Sequence, residues 1–287
     1  MSVSTPHHGR LEAPPLRFVT SSHRMHPRPR GELAALALAS VGLVTFASIA
    51  VLPLAIATLF RARRLYAAYT TRVARLLLRL WGVRVQLHGS LPPGGRQVVY
   101  ISNHSSTIDL FVLVALGLPN TRFFLSGFLQ KFVPLAVLAR LMGTFFTVPQ
   151  HRPDVRRRIF ARACAVLRRT GESVYASPEG ARIVTGDIGH FNKGAFHLAA
   201  ALDAPIVPLY FLVPAHMDPG MGLDVGAGIV EVFVKPSIET HGWRPEDAHR
   251  HAEQVRERFV EWHRVAAPLR TGNVSPAPQL RTDILNA

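Results

Sequence analysis

The chain is short of cysteine, lysine and acid. Its single cysteine, Cys164, excludes an internal disulfide framework and suits a reducing compartment. Lysine occurs only at Lys131, Lys193 and Lys235, leaving 30 of the 33 basic residues as arginine. Only 18 acidic residues oppose them, so the net charge is +15. That imbalance implies an anionic partner: lipid headgroups, a phosphorylated substrate or nucleic acid. Zinc-finger spacing and RNA-binding aromatic signatures are absent, and the excess charge flanks an apolar segment. Lipid is therefore the expected partner and nucleic acid is not. There is no internal repeat, no cluster spaced for metal ligation and no G-x-S-x-G nucleophile motif.

Charge is missing altogether from Leu33 to Phe60. At 28 residues this run exceeds the roughly 20 needed to cross a bilayer and is too long for the core of a signal peptide. Arginines flank it on both sides, Arg28 and Arg30 before, and Arg61, Arg63 and Arg64 after, so the charge bias sets no orientation. With Pro53 inside, the run fits either one spanning helix or a helical hairpin with both ends on one face. Residues 65–80, with Arg64 just before them, place Arg64, Arg72, Arg75 and Arg79 on one helical face and Leu65, Tyr69, Val73, Leu76 and Leu80 on another. That pattern suits a basic amphipathic helix on an anionic lipid surface, or a helix packed on the domain.

The expected organisation is a disordered basic tail over 1–30, anchoring and interfacial helices over 31–80, a catalytic domain over 81–266 and a disordered tail over 267–287. Within the domain, β-prone runs such as 83–88, 98–101, 173–176 and 206–212 alternate with helical patterns such as 107–116, 154–170 and 194–201. This alternation predicts an α/β fold: a mixed, mostly parallel sheet of about six strands flanked by helices, preceded by the membrane helix or hairpin.

The stretch Ile101-Ser102-Asn103-His104-Ser105-Ser106-Thr107-Ile108-Asp109 stands where a strand ends and a helix begins. Open α/β sheets place their chemistry there. Five residues along a straight helix turn through about 500°, so His104 and Asp109 meet only if the helix starts between them. Ser105, Ser106 and Thr107 are all suitable N-caps. Asp109 would then reach back to His104 Nδ1, fix the tautomer and leave Nε2 as a base. With no protein nucleophile motif beside it, such a pair suggests a substrate hydroxyl as nucleophile. The plain alternative is a capping aspartate and a surface histidine. A second polar group, Ser177-Pro178-Glu179-Gly180, follows the run 173–176 and is expected on the same sheet edge.

Asn103-His104, four residues, then Asp109 resembles the first motif of the glycerolipid acyltransferases. The likeness continues in the family's order. Pro178-Glu179-Gly180-Ala181-Arg182 is similar to the third motif, with Ala181 where Thr is usual. Phe191 to Phe196 resembles the segment after it, and Ala204 to Leu209 the fourth motif. The resemblance covers roughly residues 80–235. The second motif normally ends in an arginine six residues after Gly143, where Pro149 stands; Arg152 follows three residues later and is the candidate replacement.

The resemblance implies a membrane-bound enzyme of phospholipid biosynthesis that moves a fatty acyl group onto a lysophospholipid hydroxyl, in the first instance that of 1-acylglycerol-3-phosphate. The donor would be acyl-CoA or acyl carrier protein, with no other cofactor and no metal. His104 and Asp109 would be catalytic. Arg182 and Lys193 would hold the acceptor's phosphate, Glu179 would orient Arg182 or bind an acceptor hydroxyl, and amides near Gly180 or the helix start would stabilise the oxyanion. Transfer to another lysolipid, and lipid hydrolysis with His104 activating water, are the alternatives. The catalytic domain is expected at a membrane, on its cytoplasmic face.

Overall fold

The computed structural model describes residues 29–149, 151–183, 185–218 and 224–270, and the side chains of 267–270 lie outside that description. The two expected tails, 1–30 and 267–287, fall almost wholly outside it.

The apolar run forms α1 (Arg30–Ala50) and a short α2 (Leu52–Ala57), which breaks away where Pro53 takes one of the first two positions of the new helix. Leu59 and Phe60 then adopt left-handed backbone, φ 49° and 59°, and reverse the chain into α3 (Arg63–Leu80). α3 runs back along α1: Tyr69 Oη donates to the Ala47 carbonyl at 3.0 Å, and Trp81 Nε1 to Ser40 Oγ at 2.9 Å. α1–α2 and α3 therefore form a helical hairpin, while the apolar run 33–60 itself makes a single helical arm and not a hairpin of its own. Over Arg30–Ala57 the mean hydropathy reaches 2.3 with little of the segment buried, so length and composition suit a membrane.

α3 takes the second of the two expected arrangements on one face and leaves part of the apolar stripe open on the other. It packs on the domain through Tyr66, Thr70, Val73, Ala74, Leu77 and Leu78. Of the stripe read from sequence only Val73 is buried in this way, and Leu65, Leu76 and Leu80 remain exposed. Arg75, counted in the basic face, donates from Nε to the Ala115 carbonyl near the end of a neighbouring helix. A truncation lacking residues 1–60 would strip Val51 and Ala55 from their cluster with Tyr66 and Leu138. We expect it to aggregate or adsorb to anionic vesicles. Size-exclusion chromatography with and without vesicles checks this, and a monodisperse protein indifferent to vesicles would contradict it.

Seven strands follow, one more than the sequence suggested: β1 (Val83–His88), β2 (Val99–Ser102), β3 (Thr121–Ser126), β4 (Phe145–Thr147), β5 (Ser173–Tyr175), β6 (Ile206–Leu212) and β7 (Gly228–Val234). They form one sheet in the order β1-β7-β6-β2-β5-β3-β4. All pairs are parallel except β6 with β7. The helices are α4 (Asp109–Leu116), α5 (Val133–Leu141), α6 (Pro153–Thr170), α7 (Gly194–Leu202) and α8 (Ala248–Arg270). Between β3 and β4 a 3₁₀ turn covers Gly127–Lys131, and α5 starts with Pro134 in its first turn.

Residues along β2 alternate between two cores. Val99 and Ile101 join the cluster under α6, α7 and α8, while Val98 and Tyr100 join the one under α3 and α4. With helices on both faces, the C-terminal ends of β2, β5, β3, β4 and β6 share one edge, and His104 and Glu179 stand just beyond two adjacent strands there.

Candidate active site

β2 ends at Ser102, and the next side chain is locked across the sheet. Asn103 donates from Nδ2 to the Phe211 carbonyl at 2.9 Å, and its Oδ1 accepts the Phe211 N–H at 2.8 Å. This two-way bond mimics one more rung of the β2–β6 ladder and fixes where His104 begins. The His104 backbone is held just as firmly by the loop after β5. Its N–H donates to Glu179 Oε2 at 2.5 Å, and its carbonyl accepts the Ile183 N–H at 2.9 Å.

The histidine and aspartate do meet: His104 Nδ1 lies 3.0 Å from Asp109 Oδ2. The helix starts between them as the spacing required, but no serine caps it. α4 has Ile108 at its N-cap with no side-chain cap bond. Asp109 caps backwards instead, its Oδ2 also accepting the Ser105 N–H at 2.8 Å and the Ser106 N–H at 2.9 Å. Those helix-start amides, expected among the oxyanion donors, are thus committed to Asp109. The carboxylate is buried, while the imidazole remains 30 % exposed. Burial alone would lower the imidazole pKa; the hydrogen bond and charge of Asp109, helped by Glu179, outweigh it and hold His104 above its ordinary value.

Glu179 and Arg182 sit together, but not as the mutual ion pair a tight turn would make. Glu179 Oε1 accepts the Gly189 N–H at 2.8 Å, so each of its oxygens holds a backbone amide. Burial pushes its carboxyl up to about 7, against the pull of those two amides and of His104. The chain reverses at Gly180, whose φ of 71° an L side chain adopts only with strain. The turn sends Arg182 back over the site, where its guanidinium meets Asp218 at 3.4 Å. Asn192 Nδ2 donates to the Pro178 and Glu179 carbonyls at 2.9 and 3.0 Å, closing the loop from below.

Lys193 stands exposed at the N-cap of α7 on this edge, with Asn192, not itself, bonded to the site loop. Arg152 is exposed at the N-cap of α6. It follows β4, which lies three strands along the sheet from β2. The structure gathers His104, Asp109, Glu179, Gly180 and Arg182, and leaves Lys193 and Arg152 on the rim. Sequence reasoning missed Asn103 as a brace, Ser106, whose hydroxyl donates to Asp218 at 2.9 Å, and Asp218 itself. Ser106 lay inside a quoted motif; Asp218 had no signal at all.

Leu110 and Phe111 in the first turn of α4 line an apolar cavity of about 60 Å³ with Val73, Leu77, Leu129 and Leu138. It starts one residue beyond Asp109. Nearby, Phe128 and Phe132 form an exposed edge-to-face pair, 5.5 Å between ring centres, with Lys131 over the Phe128 ring.

A helix-flanked, mostly parallel sheet thus carries a His–Asp pair and a Pro-Glu-Gly-x-Arg turn at one edge. The family model described as Acyltransferase matches residues 83–212. A chloroplast 1-acyl-sn-glycerol-3-phosphate acyltransferase of Brassica napus is 31 % identical over 155 residues, 50 % of this chain and 44 % of that protein. One from Arabidopsis thaliana is 30 % identical over 189 residues, 62 % of this chain and 51 % of that protein. The alpha enzyme of Bos taurus is 28 % identical over 191 residues, 64 % of this chain and 66 % of that protein. The chain thus spans about half the length of the two plant relatives. The crystal structure of the 1-acyl-sn-glycerophosphate acyltransferase of Thermotoga maritima shares the fold, with a TM-score of 0.56 at 17 % identity over 80 % of this chain and 97 % of that one.

Proposed function

We propose that this protein is a membrane-bound O-acyltransferase. It moves a fatty acyl group from acyl-CoA or acyl carrier protein to the free hydroxyl of a lysophospholipid, in the first instance 1-acylglycerol-3-phosphate, in phospholipid biosynthesis. The observation that carries this reading is the His104–Asp109 pair, with Nδ1 committed to the carboxylate and Nε2 left as the basic nitrogen. Nε2 takes the proton of the acceptor hydroxyl as the oxygen attacks the thioester carbonyl. The tetrahedral intermediate collapses with cleavage of the C–S bond, and the imidazolium returns the proton to the leaving thiolate. Asp109 stabilises the imidazolium in between, and Arg182 offers a fork to the acceptor's phosphate. The N-terminal hairpin and the exposed Phe128–Phe132 pair with Lys131 suit attachment to a membrane.

Labelled acyl-CoA and acyl carrier protein, each supplied with and without lysophospholipid, test the assignment. The expected product is a diacyl lipid that forms only with acceptor; release of free fatty acid alone would point to hydrolysis. Arg182→Ala should raise the acceptor KM by about 10- to 150-fold, corresponding to the roughly 1.5–3 kcal/mol of a hydrogen bond to a charged group. The donor KM should change little. If only the donor KM responds, Arg182 serves the donor's phosphates instead.

A further inference from the structure

Arg182 is the one phosphate ligand among the expected residues that reaches His104's edge of the site, and its guanidinium is already in contact with a carboxylate. Asp218 Oδ1 stands 3.4 Å from Arg182 and accepts the Ser106 hydroxyl at 2.9 Å. Both side chains of the ion pair are largely shielded, 14 % and 19 % exposed, yet the separation is long for a charge-assisted bond, so the contact is loose. Ser106 belongs to the turn that Asp109 caps and its Oγ also faces the Ile108 N–H at 3.3 Å. Asp218 therefore sits where the first-motif turn and the Arg182 loop converge.

We infer that Asp218 is a specificity-determining residue of this site: an internal counter-anion that the acceptor's phosphate must displace from Arg182, and that disfavours a dianionic phosphomonoester relative to a singly charged phosphodiester. The inference rests on the lysophospholipid acylation proposed above. Its logic is Coulombic. Displaced from Arg182 but still tied to Ser106, the carboxylate remains beside the incoming phosphate, and its repulsion scales with the charge that phosphate carries. A phosphomonoester carries close to two charges above neutral pH; a phosphodiester carries one.

The test compares 1-acylglycerol-3-phosphate with its phosphate methyl ester, nearly equal in size and one charge apart, at pH 8 in mixed micelles with full-length protein. Asp218→Asn should lower KM for the phosphomonoester about tenfold and for the methyl ester about threefold, in keeping with one repulsive interaction counted twice or once, with kcat little changed. Ser106→Ala cuts the tie that keeps the displaced carboxylate beside the phosphate but leaves its charge, so it should lower the phosphomonoester KM too, by less than Asp218→Asn, and a rise would count against the inference. Equal effects on both acceptors, or a KM that rises in Asp218→Asn, would make Asp218 a brace for Arg182 and overturn the inference. Should Asp218→Asn fail to fold, the sign of the Ser106→Ala effect decides. Failure of the wild-type protein to acylate either lipid would instead remove the proposed function, a distinct outcome.

Discussion

His104→Ala should abolish transfer while leaving the fold intact. The ring is the partly exposed end of its network, and alanine retains the N–H bonded to Glu179 and the carbonyl bonded to Ile183. Loss of a general base typically costs about 10²- to 10⁴-fold in rate. The measurement is kcat of a variant whose circular dichroism and melting match wild type; near-normal turnover by such a protein would remove His104 from the chemistry. Asp109→Asn should also be severe, since a carboxylate oxygen serving His104, Ser105 and Ser106 together becomes an amide that can set a donor against them. The variant also has a pH signature. The base works unprotonated, so wild-type activity should fall as pH drops through the raised His104 value. Without Asp109's charge, burial dominates and lowers that value, so the acidic limb of the profile should move to lower pH. Glu179, pushed up to about 7, titrates in the same range. The displacement between wild type and variant therefore carries the assignment, more than the position of either limb.

The sheet edge was legible because both site segments follow short β-prone runs, and parallel neighbours put their ends together whatever lies between. Val98 to Ile101 and Ser173 to Ala176 announced themselves by composition alone, and their pairing as β2 and β5 brings His104 to Glu179. The capping of α4 was not legible. Three serine and threonine residues in a row invite an N-cap assignment, yet Asp109 gathers the amides because its carboxylate competes better for two N–H donors and a ring nitrogen at once. Sequence periodicity likewise left open which face of α3 is buried. Leu65, Leu76 and Leu80 do share a stripe, but the turn at Leu59 and Phe60 sets the helix's rotation, and that rotation buries Tyr66, Thr70 and Leu77 instead. The start of α5 had a readable cause in Pro134. Asp218 had none: it comes to Arg182 and Ser106 only through the tertiary path after β6, which no local pattern encodes.

The same tertiary logic ties the hairpin to the catalytic domain, and Glu172→Gln should show it. Arg63 opens α3 where the chain returns from the hairpin, Arg122 lies in β3, and Glu172 lies between the Gly171 cap of α6 and β5. Glu172 Oε1 accepts Arg63 Nε at 2.5 Å, and its Oε2 accepts Arg122 Nε. The arginines are further spent on neighbours: Arg63 donates to Asn120 Oδ1 at 2.8 Å and to the Thr121 carbonyl at 3.2 Å, and Arg122 to the Gly143 carbonyl at 3.3 Å. A Cβ on Gly143, itself at φ 76°, would fall 2.5 Å from an Arg122 nitrogen, so this cluster sets the glycine of the second motif. All three charged side chains are more than four-fifths shielded. Neutralising the carboxylate leaves two guanidinium groups together without their counter-charge, the case in which breaking a buried pair costs about 3–5 kcal/mol. Burial pushes the Glu172 carboxyl up, but Arg122 and Arg63 overcome it and hold it below the ordinary carboxylate range. Its stabilising contribution is therefore present above the unfolded carboxylate's pKa and is lost as pH falls through the lower folded value. Denaturation in detergent at neutral pH should show the full loss for Glu172→Gln, with the difference from wild type shrinking under acid. Glu239→Gln, at the exposed pair with Arg96, should leave the midpoint where it is. A Glu172→Gln protein as stable as wild type at neutral pH would mean that the two arginines find other counter-charges, and that this cluster does not hold the hairpin to the sheet.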